Sequence, residues 1–130
     1  MHPPAHEKSM STTLLVLFIP SHDRYARAID QERWTEESLG VLGTLFKGAT
    51  AYPKGKGVWR DDEQGGKLLF DTPVVIQCYT SETMLDKHAD AVRAHLTRMG
   101  VETRQGAIGF VIDNGYYEIA FPIEPATDAH

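Results

Sequence analysis

Residues 74–81 read VVIQCYTS. Successive side chains of an extended chain point to opposite faces, so Val74, Ile76 and Cys78 share one face and Val75, Gln77 and Tyr79 the other. Ser81 follows at once, and its hydroxyl can accept from the free amides that open a helix. The stripe Met84, Leu85, Val92, Leu96 and Met99, with Ala91 between, then runs at helical spacing to Gly100, which can close that helix. A strand passing directly into a helix in the second half of the chain raises the question of whether the first half holds the same unit.

It does. Thr12–Ile19 is a continuous apolar run suited to a central strand, and Pro20 ends it by removing a ladder donor. Trp34, Val41, Leu42, Leu45 and Phe46 predict a helix over Gln31–Lys47, capped by Asp30 and closed by Gly48. Gly40 and Gly43 each weaken it by roughly 1 kcal/mol relative to alanine, and read as marks of a marginal helix rather than of a close backbone approach. Between the two units, Ala49–Tyr52 and Gly57–Arg60 read as one strand interrupted by the loop Pro53–Gly57. Asp61–Gly66 is a hairpin turn and Lys67–Thr80 the returning strand, with Pro73 at a bulge or an edge. Ile108–Ile112 and Tyr116–Phe121 flank Asp113-Asn114-Gly115, a short-range hairpin signal.

The order strand, helix, strand, strand, helix, strand, with one extra C-terminal hairpin strand, predicts an α+β ferredoxin-like plait (βαββαβ) with two helices on one face of a mainly antiparallel sheet. In this reading the first and third strands are parallel central neighbours. The single domain spans 11–121, after a disordered extension at 1–10 and before a loose tail at 122–130.

Among 130 residues, 42% are hydrophobic, enough for one packed core. The net charge of −5 argues against a broad nucleic-acid or anionic-membrane surface while leaving room for a small basic site. One cysteine, Cys78, suits a reducing compartment. The apolar run Leu14–Ile19 is shorter than a secretory core of ~7–15 residues, and no run approaches the ~20 residues of a membrane span. The expectation is a cytoplasmic protein without membrane contact.

Ser21-His22-Asp23-Arg24 leaves the first strand. Under the parallel pairing it emerges beside Tyr79-Thr80-Ser81-Glu82, and both segments lead into helices whose N-terminal amides favour an anion. That edge is the candidate ligand site. Arg24 supplies a guanidinium, His22 a titratable group, Ser21, Thr80 and Ser81 hydroxyl donors, and Asp23 and Glu82 acceptors. The competing reading makes Ser81 only a cap and Ser21–Arg24 only a solvated turn. Consecutive Ser21, His22 and Asp23 do not read as a hydrolase relay, because neighbouring side chains on an extended segment point apart.

His88 and His95 fall on the apolar stripe of the second helix, about 10 Å apart along its axis, too far to share one metal ion. No HExxH spacing exists, and neither a metal site nor a cofactor is expected. Lys54, Lys56, Trp59 and Arg60 are the residues that would stack and pair if a nucleotide were met, although the glycine-rich stretch before them lacks phosphate-loop order. Cys78 reads as a small buried hydrophobe.

The run IPSHDR, followed by Phe46-Lys-Gly-Ala-Thr50, Gly57-Val-Trp59 and Arg104-Gln105, resembles a group of small uncharacterised bacterial proteins. More distantly, the chain is similar to a ferredoxin-like family of unknown function with a Trp-containing first helix and short Gly-x-Thr and Gly-x-Trp elements. The resemblance implies the plait fold and no activity.

The residues suggest a small binding or regulatory module for a small anionic ligand or a protein partner, acting as a homodimer through a sheet face that carries Gln77 and Tyr79 beside Val75. The alternative is a cofactor-free plait-type enzyme, an isomerase or small hydrolase, using His22 as acid or base with Asp23 or Glu82 orienting it. A purely structural subunit is the third reading.

Overall fold

The computed structural model describes residues 12–122. In chain order the elements are β1 (Thr13–Ile19), α1 (Gln31–Phe46), β2 (Thr50–Tyr52), β3 (Gly57–Asp61), β4 (Lys67–Asp71), β5 (Val74–Thr80), α2 (Glu82–Glu102), β6 (Ala107–Ile112) and β7 (Gly115–Ala120). The extension 1–10 and nearly all of the tail expected from the sequence lie outside the described residues.

Five strands form one antiparallel sheet in the order β2-β5-β1-β6-β7, and β3 and β4 form a separate two-stranded ribbon. Strands β1, β2, β5 and β6 with the two helices make the ferredoxin-like plait. Strand β7 is the extra hairpin strand at the edge, and the β3–β4 ribbon is an arm inserted between the second and third strands of the plait. The hairpin turns through Asp113-Asn114, since Ile112 pairs with Gly115 and Asp113 takes the positive φ of 53°.

Three sequence expectations are corrected. Strands β1 and β5 are antiparallel, with Thr13 opposite Thr80 and Ile19 opposite Val74. A plait has this pairing because the crossover β1-α1-β2 makes β1 parallel to β2, and the hairpin join then reverses β5. The segments Ala49–Tyr52 and Gly57–Arg60 are not one strand: Thr50–Tyr52 pairs with β5, whereas Gly57–Asp61 pairs with β4 alone. Lys67–Thr80 breaks at Thr72-Pro73, where proline cannot donate to a ladder.

Helix α1 buries Gln31, Trp34, Ser38, Leu42 and Phe46, a stripe at steps of three and four residues. Asp30 accepts from the amide of Arg33 at its start, and Lys47 rather than Gly48 takes the left-handed conformation at its end. Among the described residues nothing lies within 4 Å of a Cβ built on Gly40 or Gly43, in line with a helix weakened for no steric purpose. Helix α2 starts at the cap Ser81, whose Oγ accepts from the Met84 amide at 3.1 Å. It runs past Gly100, which is buried: a Cβ there would stand 2.1 Å from the Phe121 ring.

Both helices cover the face of the sheet that carries Leu15, Leu17, Ile19, Ile76, Cys78, Ile108 and Ile119. Across the helix pair, Arg33 and Arg98 sit over the Trp34 ring at 4.8 and 5.0 Å and bond Glu37 and Glu102 in a surface network. His88 meets Phe46 edge to face at 5.7 Å, and His95 bonds Ser38. No helix of the described residues is long and apolar enough to cross a membrane.

Candidate functional site

Antiparallel pairing divides the expected site. Ser21–Arg24 leaves the Ile19 end of β1, and Thr80-Ser81-Glu82 leaves the Thr80 end of β5, which lies beside Thr13. A seven-residue strand separates the two segments, roughly 20 Å at 3.3 Å per residue. Ser81 is committed to its capping bond, and Glu82 is an exposed first-turn residue of α2. The ends of α1 and α2 that meet near Ser21 are therefore of opposite sense: the start of α1, closed by the Asp30 cap, and the last turn of α2.

What does surround Ser21–Arg24 comes from elsewhere in the chain. Ser21 is buried, and its amide donates to Asp71 Oδ1 at 3.3 Å. Its hydroxyl also bonds Asp71 Oδ1, accepts from the Thr72 amide at 3.2 Å, and lies 2.8 Å from His22 Nδ1. A hydroxyl has one proton to give, and an ionised carboxylate can only accept, so that proton goes to Asp71. His22 Nδ1 must then be the donor to Ser21 Oγ. The exposed imidazole is thus held with Nδ1 toward the serine and Nε2 directed away from it. Neighbouring side chains thus do meet here, contrary to the sequence argument. The arrangement is still no hydrolase relay, because the carboxylate bonds the serine rather than the histidine.

Two buried glutamines brace this end of the sheet. Gln105 Nε2 donates to the carbonyls of His22 at 2.9 Å and Thr103 at 3.2 Å, tying the loop to the end of α2. Gln31 Nε2 donates to the carbonyls of Ile19 at 3.0 Å and Thr72 at 2.9 Å, tying β1 to the β4–β5 junction.

Asp23 shapes the loop rather than offering a free acceptor. Its Oδ1 accepts from the amides of Tyr25 at 2.8 Å and Arg27 at 3.0 Å, and Ala26 between them has a φ of 63°. The Arg27 amide foremost, then the Tyr25 amide and the charges of Arg27 and Arg104, hold the Asp23 carboxyl below its usual range against partial desolvation. Arg24 donates its amide to the Arg104 carbonyl at 3.0 Å, and its guanidinium lies 5.8 Å from the Tyr25 ring centre.

Arg104 holds an unusual position. The amide of Arg104 bonds the Val101 carbonyl and that of Gln105 the Gly100 carbonyl, the paired bonds of a Schellman motif. Arg104 occupies its left-handed position, with a φ of 53°, where glycine is usual. Arg24, Arg27, Arg104 and His22 thus gather around one loop, and none of the three arginines forms an ion pair among the described residues.

Sequence reasoning missed Arg27, Asp71, Arg104 and Gln105 as members of this end. The polar break Asp71-Thr72-Pro73 inside an apolar run, and an arginine where a helix-closing glycine belongs, are the local signals that were there to read. Of the residues considered for a nucleotide, Arg60 is paired with Asp62, while Trp59 stands exposed on the arm. Among the described residues no three His, Cys, Asp or Glu side chains converge as a metal site would require. A groove of about 570 Å³ lies away from this loop, between the helices, lined by Gly40, Val41, Thr44, Ala91 and His95 among others.

No family model and no curated protein sequence matches the chain, so the likeness seen through IPSHDR rests on neither. Solved structures do match it along most of its length. A phage SAM lyase in complex with S-methyl-5′-thioadenosine superposes with a TM-score of 0.65 at 12% identity, covering 91% of this chain and 96% of that one. The phage SAM lyase in its apo state gives 0.56 at 13% identity over 88% and 91% of the two chains. The divalent cation tolerance protein (Cut A1) of Thermus thermophilus gives 0.51 at 13% identity over 90% and 88%. At such identities the likeness is one of architecture, and the chain is a ferredoxin-like α+β protein.

Proposed function

We propose that this chain is a small cytoplasmic binding module that takes a small anionic ligand at the loop Ser21–Arg27 together with Arg104. One observation carries the reading: three arginines without ion-pair partners among the described residues, and an imidazole, gather at one loop of a chain with a net charge of −5. Isolated surface arginines usually point to solvent, but Arg104 occupies a backbone conformation that disfavours any side chain, which makes its presence there costly. Guanidinium groups bind carboxylate and phosphate oxygens through paired bonds. Thr80, Ser81 and Glu82 have no part in this site.

The test is thermal stability of the wild type and of Arg24→Ala against inorganic phosphate, nucleotides, carboxylates and S-methyl-5′-thioadenosine, the last because a protein of the same fold holds it. A ligand at ~100 times its dissociation constant stabilises the native state by roughly 2.7 kcal/mol, a shift of several degrees. A shift in the wild type that is absent from a folded Arg24→Ala supports the site. Equal shifts in both proteins, or none in either, overturn it.

The enzymatic alternative rests on the fixed orientation of His22, which turns Nε2 away from Ser21. In that reading Ser21 is a positioning residue and Asp71, not Asp23 or Glu82, is the carboxylate behind it. It requires that Ser21→Ala change the pH dependence of turnover, while His22→Ala abolishes turnover. Unchanged turnover in His22→Ala ends the idea.

A further inference from the structure

Among the described residues the β3–β4 arm pairs with no strand outside itself. Its apolar side chains are uncovered: Phe70 is 77% exposed, Trp59 58%, and Val58 and Leu68 more than half. Val58 opposes Phe70 on one rung and Trp59 opposes Leu69 on the next, so both faces of the ribbon are apolar. A lone two-stranded ribbon is marginal in water, and an apolar surface of several hundred Å² marks an interaction site.

A second surface is partly uncovered, on the sheet face away from the helices, where Tyr52, Tyr79 and Tyr116 are exposed, Phe18, Val75 and Val111 half-buried and Val16 buried. Since Leu15, Leu17 and Ile19 face the core, alternation and register put Phe18, Tyr52, Val75, Tyr79, Val111 and Tyr116 on the opposite face. Gly109 keeps this face passable, because a Cβ there would lie 2.2 Å from Tyr116 Oη; only glycine lets that tyrosine extend across β6. The five strands of the main sheet contain one charged residue, Glu118, and no lysine or arginine. Along the arm and its approach, Lys54, Lys56, Arg60 and Lys67 are balanced by Asp61, Asp62, Glu63 and Asp71.

We propose that the arm of one chain lies on the open sheet face of a second copy, with Phe70 as its anchor and Val58 and Leu68 beside it on the same face of the ribbon. Both halves of the contact belong to the same chain, the strands of the arm bond only each other among the described residues, and an arm without net charge meets a face that carries a single carboxylate. Reciprocal exchange about a two-fold axis covers both surfaces at once. Aromatic side chains bury roughly 150–250 Å² each, so in the reciprocal exchange the three tyrosines of a copy's sheet face, together with Phe70, Val58 and Leu68 of its arm, approach the order of 800 Å² per partner that a standard interface uses. The sheet-face homodimer expected from the sequence thereby gains the segment that fills it.

The experiment is solution mass, by light scattering at tens of micromolar, of the wild type, Phe70→Asp and Tyr79→Asp. Both altered side chains are exposed, so both variants fold, which circular dichroism verifies; Phe70→Ser replaces Phe70→Asp if the latter does not. The expected result is an oligomeric wild type, two monomeric variants, and association restored when the variants are mixed in equal amounts, because each supplies the half that the other lacks. A monomeric wild type overturns the proposal. So does a variant that keeps the wild-type mass, or a mixture that stays monomeric, since the latter places arm against arm or face against face.

Discussion

Ser38 Oγ lies 2.8 Å from His95 Nε2 between α1 and α2, with both side chains buried. Nδ1 of the same ring has no partner among the described residues, where the imidazole is satisfied on one side only. Burial, and next the positive charge of Arg98, push His95 below the ordinary imidazole range, with Glu37 acting the other way. The folded state therefore binds this proton less readily than the unfolded state. Its contribution to stability is complete above the unfolded value of about 6.5 and is lost as pH falls from there through the folded value. We expect the melting temperature to drop from pH 7 to pH 5 more steeply in the wild type than in His95→Gln, by no more than about 1.4 kcal/mol per pH unit. Parallel curves in the two proteins would remove His95 as the cause.

Arg104 makes the opposite trade. A side chain in the left-handed conformation costs roughly 1–2 kcal/mol, and glycine avoids that cost at some entropic expense. Arg104→Gly is expected to raise stability by about 1 kcal/mol in urea denaturation while removing any anion-dependent shift. A variant that loses stability would show the guanidinium to be a structural brace.

Two glycines in helices should respond with opposite signs. Gly40→Ala meets nothing within 4 Å and should stabilise by up to about 1 kcal/mol. Gly100→Ala drives a methyl into the Phe121 ring, and its overpacking cost of about 1–3 kcal/mol exceeds the helical gain. Chemical denaturation of the pair reads both signs at once.

Cys78 is buried, its Sγ donates to the Gly48 carbonyl at 3.3 Å, and burial pushes its thiol up. Native protein should react with a thiol reagent at neutral pH only as fast as the chain opens, and within seconds in denaturant. Fast native labelling would contradict the placement of β5 at the centre of the core.

The caps Asp30 and Ser81, the two helical stripes and the β6–β7 hairpin were legible because each is a local relation, within about four residues or across one turn. The direction of β1 against β5 was not. An apolar run such as Leu14–Ile19 reads the same in either pairing, and nothing in it names its neighbour. The arm escaped for a related reason: Gly57–Asp61 has the composition of a sheet strand, and only the partner it lacks distinguishes it. The site was half legible. Ser21, His22, Asp23 and Arg24 stood out as a polar cluster ending a strand, whereas Asp71 and Gln105 reach it from 50 and 83 positions away.

The pairing of Tyr52 with Val75 has a consequence of its own. The two residues stand side by side in the ladder, so the chain leaves the plait and returns at one point, like a handle fixed to a vessel at a single seam. Everything between them is an excursion whose closure is already held by β2 and β5. A tight turn in place of the stretch before Asp71 would leave every strand of the main sheet intact, along with the bonds of Asp71 and Thr72 to Ser21 and Gln31, so length and composition of the arm can vary without repacking the core. In such a molecule the choice of neighbours and the ability to fold are written in separate stretches of sequence, and each can change while the other stays fixed.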